Sequence, residues 1–147
     1  MMKIIYIDMD DTLCDYTGAF KRKKSERQFP QSKIGFFERL EPIAGGVECV
    51  KRLIESEHCD PYILTAPSTR NPQSYAEKRL WIEAFFGYEF TKKLIISPNK
   101  GLLMGDVLID DHLSGKGQEA FKGRLIHFGS AAYPDWGAVG EFLDAYL

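Results

Sequence analysis

The chain has 147 residues, with 19 Lys and Arg against 21 Asp and Glu for a formal charge of −2, enough for one domain with a substantial core and too few for two. Hydrophobic residues at 44% and charged residues at 27% exclude a disordered chain, and the near-neutral balance removes the simplest case for stable nucleic-acid binding. No apolar run approaches the ~20 residues that span a bilayer, so no membrane partner is expected. The apolar start reaches Asp8 too soon for a signal-peptide core, and Cys14, Cys49 and Cys59 lack metal-type pairing; both features suit a cytoplasmic, reducing compartment.

Residues 3–8 (KIIYID) are short, β-branched and end on an acid, which predicts a buried strand. Residues 15–45 break the later rhythm: they hold the basic run Lys21, Arg22, Lys23, Lys24, Arg27 and Lys33 among several aromatics, and are expected to form a helical insert. After Gly45-Gly46, Val47, Val50, Leu53 and Ile54 recur at helical spacing to about His58. PYILTA (61–66) is the next strand. Tyr75, Leu80, Trp81, Ala84 and Phe85 then mark a helix over 73–86, stopped by Gly87. LIIS (94–97), VLID (107–110) and RLIHF (124–128) are further strands, with a helix around Gly117–Phe121 and a last one over Trp136–Leu147. Alternating strands and helices predict an α/β fold around a mostly parallel sheet.

Three predicted strands finish in polar groups that a buried strand does not need. The first runs into Asp8-Met9-Asp10-Asp11-Thr12, the second reaches Thr65, and the fourth ends on Asp110-Asp111; Lys100 follows the third. In an open α/β sheet, ligands bind beyond the carboxyl ends of the strands, so parallel strands would gather these groups in one crevice. Two carboxylates about 4 Å apart repel by about 4 kcal/mol at an effective dielectric near 20, so such a cluster calls for a cation. All-oxygen ligands on strand ends suit Mg²⁺, and no Cys/His set suits zinc. Phosphoryl transfer fits the whole set. Asp8 would attack phosphorus, Asp10 would protonate the leaving oxygen and later activate water, and Thr65, Lys100 and loop N–H groups would hold the phosphoryl oxygens.

These residues, in the order Asp8-Met9-Asp10-Asp11-Thr12-Leu13, Thr65, Lys100 and Asp110-Asp111, resemble the four motifs of the haloacid dehalogenase (HAD) phosphatase superfamily. The resemblance implies a single domain over 1–147: a Rossmann-like three-layer sandwich with a central parallel sheet and a small helical cap at about 15–45. It implies Asp8 as nucleophile and Asp10 as acid/base, with Mg²⁺ held by the Asp8 carboxylate, the Asp10 carbonyl and the pair Asp110–Asp111, Asp111 being favoured as the direct ligand. Phe36-Phe37-Glu38-Arg39-Leu40-Glu41-Pro42 and Lys78-Arg79-Leu80-Trp81-Ile82-Glu83 look like segments of the 5'(3')-deoxyribonucleotidase family within that superfamily. That likeness implies a small phosphate ester, a nucleoside monophosphate, as substrate. Met9, Asp11, Ala66, Lys78, His112, Phe36 and Phe37 are then the expected substrate contacts. The insert is shorter than that family's cap, and Ala66 and His112 stand where its members often carry a hydroxyl and an arginine.

Other readings stand beside this one. A different phosphorylated substrate and a non-catalytic phosphate-binding or signalling domain both use the same crevice. A phospho-receiver places its acidic pair before the hydroxyl and lysine, whereas here Asp110-Asp111 follows Lys100. Gly115-Lys116-Gly117-Gln118-Glu119-Ala120 has the letters of a dinucleotide fingerprint, but four residues separate it from the strand end at Asp110, so it reads as a loop leading into a helix.

Overall fold

Five strands, β1 (Lys3–Ile7), β2 (Cys59–Thr65), β3 (Leu94–Ile96), β4 (Val107–Asp110) and β5 (Arg124–His127), form one sheet in the order β3-β2-β1-β4-β5, with every pair parallel. A computed structural model describes residues 1–147. The chain winds outward from β1 to β3, then returns to lay β4 on the other edge of β1. The winding therefore reverses between β1 and β4, and their carboxyl ends form the switch-point crevice of a doubly wound sheet. Asp8 leaves β1 there, and Asp110 ends β4.

The sheet's two faces are covered unequally. Ile5, Ile7, Ile63, Val107, Ile109 and Ile126 point to one face and join the main core with residues of α2 (Gly46–Glu55), α3 (Gln73–Phe86) and α5 (Trp136–Tyr146). The opposite face carries Tyr6, Leu64 and Leu108 under Phe121 and Leu103. These two cover residues flank the 3₁₀ turns Lys100–Leu102 and Gln118–Ala120, so no long helix lies on this side. The helix expected around Gly117–Phe121 is only that three-residue turn. Gly115 and Gly117 sit at φ +101° and +84°, outside the helical region, and the backbone extends again at Phe121.

Two other boundaries shift for tertiary reasons. The helix expected to reach His58 stops at Glu55, because the His58 carbonyl accepts the Lys3 N–H (2.9 Å) as the chain joins the sheet. β2 accordingly starts at Cys59 and contains Pro61, paired with Ile5. Ile63, two residues on, sends its N–H to Lys93 on the β3 side; the proline nitrogen faces the same way, before β3 begins, so no ladder bond is lost.

Between residues 15 and 45 only α1 (Tyr16–Lys24) is α-helical, followed by a 3₁₀ turn at Pro30–Ser32 and a run of turns. Asp15 caps α1 by accepting the Gly18 N–H at 2.8 Å, and Lys21, Arg22, Lys23 and Lys24 fill the last turn, where the helix dipole favours cations. No residue of α1 is buried; aromatic contacts carry the segment instead. Tyr16 stacks on Phe37 at 5.9 Å, and Phe36 meets Phe37 edge-on at 5.2 Å. The short helix α4 (Tyr88–Thr91) connects α3 to β3.

Candidate active site

Asp8 is still part of the sheet, donating its N–H to the Ile109 carbonyl at 2.9 Å. The chain then closes on itself: the Met9 carbonyl accepts from Thr12, Leu13 and Cys14 at 3.1, 2.8 and 3.0 Å, and Asp11 takes φ +60°. Met9 itself is buried in the core. The Trp136 indole donates to the Thr12 carbonyl at 2.8 Å, so the first turn of α5 braces this loop.

Lys100 lies between the two strand ends, its Nζ 2.7 Å from Asp8 and 2.6 Å from Asp110. Thr12 Oγ1 stands 3.2 Å from Asp8 and 3.3 Å from Asp111. Asp110 is held further by the His112 N–H (2.9 Å) and Gln118 Nε2 (3.3 Å). Asp8, Asp110 and Asp111 offer carboxylate oxygens that all lie within 4.8 Å of one another, with Lys100 the one ammonium paired to the group and the exposed His112 imidazole 3.3 Å from Asp111. The group is therefore electron-rich and short of positive charge. Burial pushes Asp8 well above the usual carboxylate range; Lys100 works against that rise and Asp110 adds to it. Burial raises Asp111 to about 6. Burial also opposes the charge on Lys100, but contact with Asp8 and Asp110 outweighs it and leaves the ammonium above its ordinary value. Three hard oxygen donors holding surplus charge fit a divalent cation.

A stability slope follows from these shifts. Asp8 and Asp111 bind protons more tightly in the folded chain than in the unfolded one, so raising the pH removes protons the native state prefers to keep. Metal-free protein is expected to lose thermal stability as the pH rises from about 4 through about 6, the interval set by Asp111. Thermal melts of the metal-free chain against Asp111→Asn isolate this slope; a difference that grows in the wild type's favour with rising pH would overturn it. Added Mg²⁺ is expected to raise the melting temperature more at about pH 7 than at about pH 4.5, because bound cation and proton compete.

A cavity of about 410 Å³ opens over this cluster. Of the residues anticipated from sequence, Asp8, Asp10, Asp11, Phe37, Ala66, Lys100, Asp110, Asp111 and His112 line it. Met9, Thr65 and Lys78 are buried behind its wall, and Phe36 faces a different cavity. The Asp10 carboxylate does not join the three-acid group. Its Oδ2 accepts from Lys78 at 3.0 Å, and Cys14 Sγ lies 3.7 Å from Oδ1. Lys78 also donates to Thr65 Oγ1 at 2.8 Å and stands 5.0 Å from the centre of the Phe37 ring. Asp10 is thus aimed by a buried ammonium. The Cys14 thiol is buried too, and burial beside Asp10 raises it well above its ordinary value, so it is not a reactive thiolate.

Several participants were not anticipated. Glu77, 3% exposed, accepts the N–H groups of Gly35, Phe37 and Glu38 at 3.0, 3.1 and 3.3 Å, fixing the turn that carries Phe37. Its signal was the stripe Ser74, Glu77, Lys78, Trp81, which is the buried face of α3. Tyr75 and Leu80, expected on that face, are both 41% exposed. The Gly115–Gly117 loop also belongs to the site: the Lys116 carbonyl accepts the Lys100 N–H at 2.6 Å, and Lys116 and Gln118 line the cavity. At Gly117 a Cβ would meet Asn99 Oδ1 at 2.1 Å and the Lys100 nitrogen at 3.0 Å, which is why the position needs glycine. Ser68 places a hydroxyl-bearing side chain on the wall next to Ala66.

A doubly wound parallel sheet with a lysine-bridged pair of carboxylates at its switch point and a third acid beside them is the arrangement of the HAD-type hydrolases. Within that class, residues 27–134 match the family described as 5' nucleotidase, deoxy (pyrimidine), cytosolic type C protein, and the chain belongs to that family. A protein of Vibrio phage KVP40, provisionally named a 5'(3')-deoxyribonucleotidase, is 35% identical over 95% of this chain and 84% of its own length. The human mitochondrial 5'(3')-deoxyribonucleotidase is 30% identical over 78% of this chain, and the match spans 64% of that enzyme. A solved structure of a provisionally assigned haloacid dehalogenase-like hydrolase from Burkholderia xenovorans LB400 aligns over 85% of this chain and 80% of its own at 19% identity, with a TM-score of 0.46. No helix here is long and apolar enough to cross a membrane.

Proposed function

We propose that this chain is a Mg²⁺-dependent phosphomonoesterase that hydrolyses nucleoside monophosphates, deoxyribonucleotides foremost, through a phosphorylated Asp8. The observation that carries the reading is the Lys100 bridge between Asp8 and Asp110, set beside an Asp10 that Lys78 holds from behind. A Mg²⁺ ion held by the Asp8 and Asp111 carboxylates and the Asp10 carbonyl would supply positive charge to the phosphoryl oxygens.

Asp8 forms the new P–O bond as the ester P–O bond breaks, and Asp10 gives its proton to the departing nucleoside oxygen. Water then attacks the phosphorus of the aspartyl-phosphate, Asp10 takes its proton, and Asp8 is released as a carboxylate with inorganic phosphate. Lys78 holds Asp10 Oδ2 and so orients the carboxylate for the proton transfers. Lys100 offsets charge on the phosphoryl group as well as on Asp8. Tyr16 and Phe37, stacked on one another on the cavity wall, give a base an aromatic surface.

Phosphate release from deoxy- and ribonucleoside monophosphates, sugar phosphates and an aryl phosphate, with Mg²⁺ and with EDTA, tests this. Release concentrated on deoxynucleotides, lost in EDTA and restored by excess Mg²⁺, is expected. Release from the aryl phosphate alone would keep the chemistry and remove the nucleotide. Silence from folded protein would leave a phosphate-binding domain.

A further inference from the structure

A larger cavity, about 490 Å³, lies in the 15–45 segment away from the catalytic carboxylates. Its lining brings Arg22, Lys23, Arg27, Lys33 and Arg39 together against only two carboxylates, Glu26 and Glu41. The basic residues of α1 have an ordinary explanation in the helix's last turn, and Arg22 and Lys23 are loosely paired with Asp15 (3.8 Å) and Glu26 (3.9 Å). Arg27, Lys33 and Arg39 have neither. All three lie outside any α-helix, Arg27 before the 3₁₀ turn and Lys33 and Arg39 in the stretch after it, and none has a carboxylate within 4.0 Å. Like charges drawn around a concavity without counter-charges repel one another, and a multiply charged anion relieves that repulsion.

The remaining wall is apolar. Pro30, Ile34 and Phe36 line it, and Ile34 is 72% exposed, an uncovered hydrophobic surface beside the cations. The volume falls in the range of small-ligand sites. We propose that this cavity is a second ligand site, for a polyphosphate anion carrying an apolar ring, the nucleoside di- and triphosphate class. Arg27, Lys33 and Arg39 hold its phosphates, and Ile34 and Phe36 hold its body. The site is separate from the catalytic one but shares a wall with it. Phe36 packs edge-on against Phe37, and one Glu77 carboxylate holds both Gly35, on this cavity, and Phe37, on the other.

Titration calorimetry with ATP in EDTA, run on the full chain, tests the assignment, with inorganic tripolyphosphate and a short single-stranded DNA as comparison probes. ATP is expected to bind at one equivalent with a dissociation constant below about 1 mM, and tripolyphosphate at least about 5-fold more weakly. R27E, K33E and R39E are expected to weaken ATP at least about 10-fold each. These side chains are on exposed residues, so the fold should tolerate the changes. I34S should weaken ATP and leave tripolyphosphate unchanged, while Asp8→Asn should leave ATP binding in EDTA unchanged. Absence of ATP binding, insensitivity to the three charge reversals, or loss with Asp8→Asn would overturn the proposal. Tighter binding of the DNA than of ATP would do so as well, making the patch a nucleic-acid surface.

Discussion

Asp8→Asn is expected to lower phosphate release by at least about 10³-fold while the chain stays folded. An amide oxygen is a poor nucleophile toward phosphorus, and neither Asp110 nor Asp10 is placed to replace it. Asp110 is occupied by Lys100, the His112 N–H and Gln118, and Asp10 is drawn toward Lys78. The fold should survive, because Lys100 keeps its 2.6 Å contact with Asp110 when the charge on residue 8 is removed. Steady-state release with a deoxynucleotide, together with mass analysis of acid-quenched protein, gives both halves of the result: no turnover and no adduct of one phosphoryl group. Turnover within about 10-fold of wild type, with melting unchanged, would refute Asp8 as the nucleophile.

Glu77→Ala is the second large expectation, and its first effect is on stability. Removal of the carboxylate leaves the N–H groups of Gly35 and Phe37 buried without an acceptor, and weakens the hold on Glu38. Unsatisfied buried donors cost about 1–3 kcal/mol each, so a loss of roughly 3–5 kcal/mol is expected. For a chain of this length that lowers the melting temperature by roughly 6–20 °C. Glu77→Gln keeps one acceptor oxygen and should fall between the two. Both variants loosen the turn that carries Phe37, so KM for a deoxynucleotide should rise more than KM for a small aryl phosphate. Unchanged melting would show that the carboxylate does not hold the turn. Equal KM changes for both substrates would confine its role to stability.

The same residue shows where reading along the chain stops. Strand positions were readable because short apolar runs rich in Ile, Leu and Val are a local pattern, and the parallel arrangement followed from their alternation with helices. Convergence of Asp8, Lys100 and Asp110 followed in turn, since parallel strands put their carboxyl ends on one edge. The inward face of α3 was readable only in part: Trp81 and, by resemblance, Lys78 were anticipated, and Glu77 was not. Glu77 and Lys78 look like solvent-facing charges, and they are buried only because their partners arrive from elsewhere: the 35–38 turn for one, Asp10 and Thr65 for the other. Tyr75 and Leu80 misled for the converse reason, as apolar residues on a half-exposed face. Residues 117–121 failed on backbone geometry. Two positive-φ glycines break the helix that the composition suggested, and one of them packs directly on the Lys100 backbone.

The brace from Trp136 to the Thr12 carbonyl joins positions 124 apart in sequence. β1, which carries Asp8, is likewise flanked by strands made much later. During synthesis the first dozen residues therefore emerge long before anything that shapes them, and contacts this distant in sequence form late. The nascent chain carries Asp8 with no bridging Lys100, no Asp110 or Asp111 beside it and no bracing indole. On the proposed mechanism the site is complete only after residue 136 has left the ribosome, so a chain truncated before Trp136 is expected to be inert instead of partly active.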